Sequence, residues 1–390
     1  MKWPLLTLAF FGFSLSALSA VPADSVLQKE YAVPADSVSV LPNDTLAPDT
    51  QVVEQPRKLG LIRRIIRGFD RLDERYIEPQ HYVFTVMLQS TYTYDYYTLR
   101  TSLLKGQHIS FAHAGDIKVG PYIGWKWIFG GYSFTLGHST YDKTKTEIDF
   151  SMYSSQIGFD FFYRRTGSDY RLRNIRVDDH VDTSPLDNEP FDGLQVGITG
   201  FNLYYIFNHG RFSYPAAFAQ STIQKISCGS WMAGFGYNRN SLEFDHSKLQ
   251  QVFDEKLGKN TVLIDSGLMF NSARYYDINV SAGYAYNWVF ARNWLFCACG
   301  QLALGYKQSS GDVNERSGMP KSFSVTKINP NLIGRFALVY NNMRWYAGFS
   351  AIVRSNTYYE SRFSTTNTYG NMNLYVGYNF GLKKKYRNKD

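Results

Sequence analysis

Between Asn371 and Leu382 apolar and polar positions alternate almost without a break. Met372, Leu374, Val376, Tyr378 and Phe380 fall on one face, and Asn371, Asn373, Gly377, Asn379 and Gly381 on the other, with Tyr375 the one large residue among the small ones. Successive side chains of a strand point to opposite faces, so this segment predicts a strand with one oily and one small, polar face. The pattern recurs over 278–288, where Ile278, Val280, Ala282, Tyr284, Tyr286 and Trp288 oppose Asn279, Ser281, Gly283, Ala285 and Asn287. Strands of about ten residues, apolar toward lipid, polar inside and flanked by aromatics, are the pattern of a transmembrane β-barrel.

The same reading from Tyr82 onward predicts an all-β fold, an antiparallel barrel of about twelve strands. They lie at 82–98, 116–128, 131–139, 147–164, 169–176, 193–207, 225–238, 274–290, 294–308, 322–340, 343–356 and 369–382, with 193–207 changing face near Gly200. Connections at 129–130, 165–168, 291–293 and 341–342 are short, those at 99–115, 177–192, 239–273, 309–321 and 357–368 are long, and 140–146 and 208–224 are moderate. Outer-membrane barrels pair short periplasmic turns with long outer loops, which places both termini in the periplasm.

Ahead of the barrel (80–383) the expected organisation is a signal peptide, a linker and a helix. Lys2, the apolar stretch Leu5 to Leu18 and the small pair Ser19-Ala20 mark residues 1–20 for export. Residues 21–56 repeat VPADSV and carry five prolines, too little apolar surface to offset the entropy of ordering. Over 57–79, Leu61, Ile62, Ile65, Ile66, Phe69 and Leu72 recur at helical spacing among arginines, so a basic amphipathic helix is expected, ended by Pro79. It would pack on the barrel rim or the inner-leaflet surface, or plug the lumen; a basic lumen favours the rim. Residues 384–390 form a basic tail.

Composition adds constraints. Tyr (30), Phe (28) and Trp (7) make 17% of the chain aromatic, as girdles require. The mean hydropathy of −0.30 fits a barrel, which interleaves oily and lumen residues. Three cysteines make no disulfide framework, and Cys297 and Cys299 read as small lumen residues rather than a metal site. The net charge of +8 in an exported barrel points to outer-membrane lipid and lipopolysaccharide as partners, not nucleic acid.

With the oily faces on lipid, Lys118, Lys126, Arg164, Lys307, Lys327, Arg335, Arg344 and Arg354 are assigned to the lumen, with Asp95, Asp116, Asp160 and Asp277. That excess of bases would favour anionic solutes in an open channel; alternatively the charges pair and close a narrow barrel. A non-enzymatic barrel, either a narrow channel or a structural envelope protein, is therefore the leading expectation. A lipid-modifying hydrolase would need a serine beside a base. Only His138-Ser139 and His209 with Ser213 suggest one, and neighbouring strand residues such as His138 and Ser139 face opposite ways. No phosphate loop, calcium loop or zinc pattern stands out, so no cofactor is expected.

The segment Phe201 to Gly236 is denser in polar residues than a turn requires. Asn208, Arg211, Ser213, Ser221 and Gln224 make it a candidate docking segment for a periplasmic protein partner. YIEP (76–79), GPYIGWKWIFGGYS (120–133) and YYIFNHGRFSYPAAFAQSTIQKISCGS (204–230) together resemble a Bacteroidota family of outer-membrane proteins, domain of unknown function 4421, from about Tyr76 to Leu382. The resemblance implies the fold and the compartment, and no activity. Outer-membrane insertion would involve the barrel-assembly machinery, although this chain continues past Gly381 with LKKKYRNKD rather than ending on an aromatic residue.

Overall fold

The computed structural model describes residues 72–387, apart from 102–105, 114, 126–127, 137–145, 168, 179, 311–327 and 360–362. The expected signal peptide, linker and most of the basic helix lie outside these residues, as do Lys126, Lys327, His138 and Ser139. In chain order the strands are β1 (Ile77–Pro79), β2 (Tyr82–Thr101), β3 (His108–His113), β4 (Asp116–Trp125), β5 (Ile128–Gly131), β6 (Phe134–Leu136), β7 (Thr146–Tyr153), β8 (Ile157–Arg165), β9 (Tyr170–Arg176) and β10 (Pro190–Phe191). They continue as β11 (Leu194–Ile206), β12 (Thr222–Gln224), β13 (Cys228–Phe244), β14 (Ser272–Ala291), β15 (Trp294–Ser310), β16 (Ile328–Asn341), β17 (Trp345–Tyr359) and β18 (Phe363–Leu382). Helices are α1 (Tyr214–Phe218), α2 (His246–Leu257) and α3 (Lys384–Arg387).

The strands form an antiparallel transmembrane-type β-barrel. One sheet runs β4-β2-β18-β17-β16-β15-β14-β13-β11-β8-β7, with β5 and β6 paired on the far side of β4. The last strand, β18, pairs with the first wall strand, β2, from Phe363↔Thr101 to Leu382↔Tyr82. Lys118 of β4 reaches Glu147 of β7 at 2.7 Å, an ion pair that links the two flanks of the sheet. Outward residues form a continuous apolar belt in which Trp231 is 65% exposed and Ile123, Val280, Leu302, Leu332 and Leu374 are likewise open. A belt this large and this oily is a surface for lipid rather than water.

Inside, glycines and tyrosines are matched across strands. Tyr204 lies over Gly158, Tyr346 over Gly377 and Tyr375 over Gly348, each a registered pair. A Cβ on Gly158 or Gly377 would overlap the neighbouring ring, so the small inward positions of β18 let rings lie flat along the wall.

Five expectations are corrected. The expected turn at 129–130 lies within β5, which pairs with β4. The stretch 147–164 is two strands, β7 and β8. Ser154 forms the turn between them, its Oγ accepting from the Ile157 amide (2.9 Å) and donating to the Ile157 carbonyl (2.8 Å). The strand at 169–176 is not in the wall: β9 pairs with β3 and β10 beyond the loop end. Strand β11 keeps one alternation throughout, in unbroken register with β13, and no change of face occurs at Gly200. Finally, the end of the expected helix over 57–79 is a turn followed by strand β1, which pairs with β12.

The loop end carries a folded cap. Phe111, Phe191, Phe244, Phe253, Phe270 and Phe363 share one buried core with the inward faces of β3, β9–β11, β13, β14 and β18. Helix α2 contributes Leu249 and Phe253, and its N-cap Asp245 accepts from the amides of Ser247 and Lys248, both at 3.1 Å. Gln107 ties the cap together, donating to the Leu263 carbonyl (2.6 Å) and accepting from the Asp265 amide (2.9 Å).

Candidate functional site

The lumen is occupied from the end that carries both described termini. After β11, the Phe212 amide closes a turn on the Asn208 carbonyl at 2.8 Å, and Ser213 then caps α1 by accepting from Ala216 at 3.2 Å. Pro215 suits the first turn of this helix, where no amide partner is needed. The helix is short because its role is packing. Phe212 and Tyr214 pack with Tyr204, Met232, Ala285 and Cys299, and Ala216 and Ala217 with Leu295, Cys297, Ala337 and Val339. Those partners are inward residues of β11 and β13–β16, so residues 208–224 form an inserted segment inside the barrel. Small alanines and cysteines in the wall make the room it occupies.

Gln224 is the hub of the insertion. Its Oε1 accepts from the Ser213 amide (2.8 Å) and Asn287 Nδ2 (3.1 Å), while its Nε2 donates to the carbonyls of Arg211 (2.7 Å), Ile226 (2.9 Å) and Tyr76 (3.3 Å). Asn287 also donates to the Ser213 carbonyl at 2.8 Å, and Ser213 Oγ shares a hydrogen bond with Thr222 at 2.7 Å. The YIEP motif is part of this clasp through the β1–β12 pairing and through Tyr76, whose ring lies 5.3 Å under the Arg211 guanidinium.

Above the inserted segment, charged residues meet across the lumen. Asp160 of β8 pairs with Arg335 of β16 and, at 3.4 Å, with Arg354 of β17, and accepts from Ser151 at 2.8 Å. Arg335 also lies over the Tyr204 ring at 4.8 Å and Arg354 over Phe162 at 5.0 Å. Arg164 pairs with Asp149 at 2.8 Å. Asp277 accepts from Asn279 (2.8 Å), Asn331 (3.2 Å) and Asn238 (3.3 Å), next to its registered neighbour Lys307, which donates to Asn331 and to the Thr357 carbonyl. Arg335 and Asp277 are fully buried. Such charges are tolerated only when paired and hydrogen-bonded.

Beside the inserted segment lies a cavity of about 260 Å³. Gln89, Thr91 and Thr93 of β2, Lys118 and Tyr122 of β4, Glu147, Asp149, Ser151 and Tyr153 of β7, Ser350 of β17 and Asn371, Asn373 and Tyr375 of β18 form its wall. Residues 218–221 form its inner side, and Gln220 donates across to the Tyr375 hydroxyl at 2.6 Å. The polar wall is organised by itself: Thr91 donates to Asn373 Oδ1 at 2.8 Å, as does Gln89 at 3.1 Å.

Of the candidate lumen residues, Lys118, Asp160, Arg164, Asp277, Lys307, Arg335 and Arg354 face the interior. Arg344 does not. It occupies the turn before β17, exposed, and donates to the Tyr378 hydroxyl at 2.9 and 2.7 Å; Met343, with φ of 77°, turns the chain there. Glu147 and Asp149 were missed because the single-strand reading of 147–164 hid their face. The pattern Glu147, Asp149, Ser151 against Ile148, Phe150, Met152 was the signal. With these two acids inside, the expected excess of lumen bases largely disappears. Asn208 donates to the Gly229 carbonyl at 2.9 Å, and Arg211 is exposed, 3.7 Å from Asp73. Ser221 lines the cavity. His209 and Ser213 are not brought together: His209 pairs with Gln156 at 2.9 Å and Ser213 with Thr222.

The family model described as "Domain of unknown function (DUF4421)" matches residues 71–380. No curated protein matches the chain. Among solved structures, the outer membrane protease OmpT from Escherichia coli aligns at 7% identity and a TM-score of 0.33, covering 76% of this chain and 97% of that one. The outer membrane protein OprG from Pseudomonas aeruginosa aligns at 8% and 0.23 (78% and 98% covered). The toluene transporter TodX from P. putida aligns at 8% and 0.24 (77% and 91%). Likeness at this level transfers no activity.

Proposed function

The chain belongs to the family described as a domain of unknown function, DUF4421, and from that premise we propose that it is a non-enzymatic outer-membrane barrel of the channel class. Its termini would lie in the periplasm, and its lumen would be closed at rest. Small polar solutes would enter the lumen from the termini side and lodge beside the inserted segment. The observation that carries this reading is the cavity of about 260 Å³, lined by polar and apolar side chains, held between the barrel wall and a segment fixed by hydrogen bonds and two small apolar contacts. Because most of the described lumen charges pair with one another, several of them across the lumen, the passage would discriminate weakly between anions and cations.

Planar-bilayer conductance tests the reading. Wild-type protein is expected to be nearly silent. A variant with Ser213–Ser221 replaced by a Gly/Ser linker is expected to pass steady, weakly selective current, provided its heat-modifiable gel mobility shows a folded barrel. A folded variant without current would overturn the channel and leave the second reading, a structural envelope barrel. That reading draws on the buried Asp160–Arg335–Arg354 network, which joins opposite walls.

A further inference from the structure

On the outer surface, above the apolar belt at the loop end, three arginines rise from three different strands. Each follows a tyrosine by one outward position: Tyr163 then Arg165 on β8, Tyr237 then Arg239 on β13, and Tyr276 then Arg274 on β14. Tyrosines at this position form the girdle at the lipid–water boundary. Tyr276 and the termini-side Trp288 of β14 bracket the belt. They are separated by about 40 Å of strand, or about 30 Å along the axis at the usual barrel tilt, which is the thickness of a bilayer's apolar core. The arginines therefore stand at headgroup height.

The floor between them is small and concave. Arg165 registers with Gly197, Gly197 with Ser241, and Ser241 with Arg274, so one row crosses four strands with an arginine at each end. At about 4.8 Å per strand the two ends are roughly 14 Å apart, and both arginines line one groove with the glycine and serine. Arg239 lies one outward position below Ser241, beside Thr199. The groove has a volume of about 400 Å³. Glu243, one outward position beyond Ser241, also lines the groove, where three arginines outnumber its one carboxylate. Arg165, Arg239 and Arg274 are exposed and make no ion pair among the described residues. At the same height on the opposite side the outward residues are neutral: Ser355 and Thr357 on β17, Thr366 and Thr368 on β18. Arg100 of β2, next to β18, is also exposed, and what sets the three arginines apart is that they line one groove.

We propose that this groove binds the phosphate-bearing headgroup of a lipid in the leaflet on the loop side, with the acyl chains lying on Phe201, Phe235 and Ile278 of the belt below. Arginine forks match phosphate oxygens bidentately, and three arginines lining one glycine-floored hollow suit a phosphomonoester better than a single surface cation would. The site lies on the lipid face, separate from the lumen cavity, and is independent of the channel reading.

The test is native mass spectrometry of full-length protein released from detergent, using diphosphoryl lipid A, the same lipid with its phosphates removed, phosphatidylglycerol, and inorganic phosphate as competitor. Diphosphoryl lipid A is expected to remain bound, and the dephosphorylated lipid to bind at least about tenfold more weakly. The variant Arg165→Ala/Arg239→Ala/Arg274→Ala should lose binding to a similar degree while keeping heat-modifiable mobility. Lys384→Ala/Lys385→Ala/Arg387→Ala, with the same loss of charge at the other end, should keep it. Arg239→Lys, which preserves charge and removes the fork, should fall between. Equal retention of the dephosphorylated lipid, unchanged binding by the folded triple variant, or an equal loss in the tail control would each overturn the proposal. Full displacement of the lipid by millimolar inorganic phosphate would reassign the groove to free anions.

Discussion

The two ends of the lumen are closed by different chemistry. At the loop end, the inward faces of β3, β9–β11, β13, β14 and β18 join α2 in one apolar core rich in phenylalanine. At the termini end, the inserted segment is fixed by the Gln224 and Asn287 hydrogen bonds around two smaller apolar clusters. Apolar burial scales with area and has no substitute in water, so the loop end opens only if the cap unfolds. A hydrogen bond exchanges with water at a net cost of only about 0.5–1.5 kcal/mol, so the termini end can be released while the wall stays intact. One end is a lid that is part of the fold; the other is a clasp.

The largest effect is expected where the closure is apolar. Phe253→Ala removes a fully buried ring of α2 and should destabilise the cap by about 3–5 kcal/mol. Limited proteolysis is expected to cut within 246–270 while the barrel keeps its heat-modifiable mobility. If barrel and cap melt together, the cap is not a separate closure and the comparison fails.

At the other end, Gln224→Ala leaves the Ser213 amide and the Arg211 carbonyl without their buried partner. A cost of about 1–3 kcal/mol is expected. Cys297 and Cys299 lie behind the inserted segment and are buried, so they report its release. In a Cys228→Ser background, their labelling by a thiol reagent should speed up by about one to two powers of ten, with the cap still resistant to protease. Unchanged labelling would mean that the apolar contacts of Phe212 and Tyr214, not the hydrogen bonds, hold the clasp.

This contrast also explains what could be read from the sequence. Alternation has a fixed period, so the lipid-facing rows of β13 to β18 are local facts, legible without partners. The polarity of each face holds only at membrane height, however. Above the belt, β11 turns Gln195, Gly197 and Thr199 outward and Val196 and Ile198 inward, and the reversal of polarity reads as a change of face where none exists. The turn at Ser154 lacks glycine and proline, so β7 and β8 run together and their acids vanish from view. Helix α2 was legible and passed over: Leu249, Val252, Phe253 and Leu257 recur at helical spacing behind an aspartate cap. In the inserted segment the polar residues themselves were visible, but not their partners. Asn287 and Tyr76 are distant in sequence from Gln224, and nothing local announces such a contact.

The smallest expected effect concerns the outer strap of the clasp. The Arg75 guanidinium donates to both carboxylate oxygens of Asp73, at 3.0 and 2.8 Å, and Arg211 of the inserted segment stands 3.7 Å away. Chiefly through the Arg75 hydrogen bond, the Asp73 carboxyl is held at about 2, below the usual 3.8. A carboxylate whose folded value is depressed stabilises the folded form above its ordinary pKa, and that contribution is lost as pH falls through the folded value. The strap should therefore hold at neutral pH and weaken between about pH 4 and about pH 2. The pair is exposed and screened by water and salt, which keeps the effect small. Labelling of Cys297 and Cys299 with dithiodipyridine, which reacts in acid, is expected to rise modestly over that interval. The rise should be smaller in Asp73→Asn, where the strap has no charge left to lose. An identical acid response in both proteins would show that the strap adds nothing to the clasp, leaving Gln224 and the β1–β12 pairing to carry it.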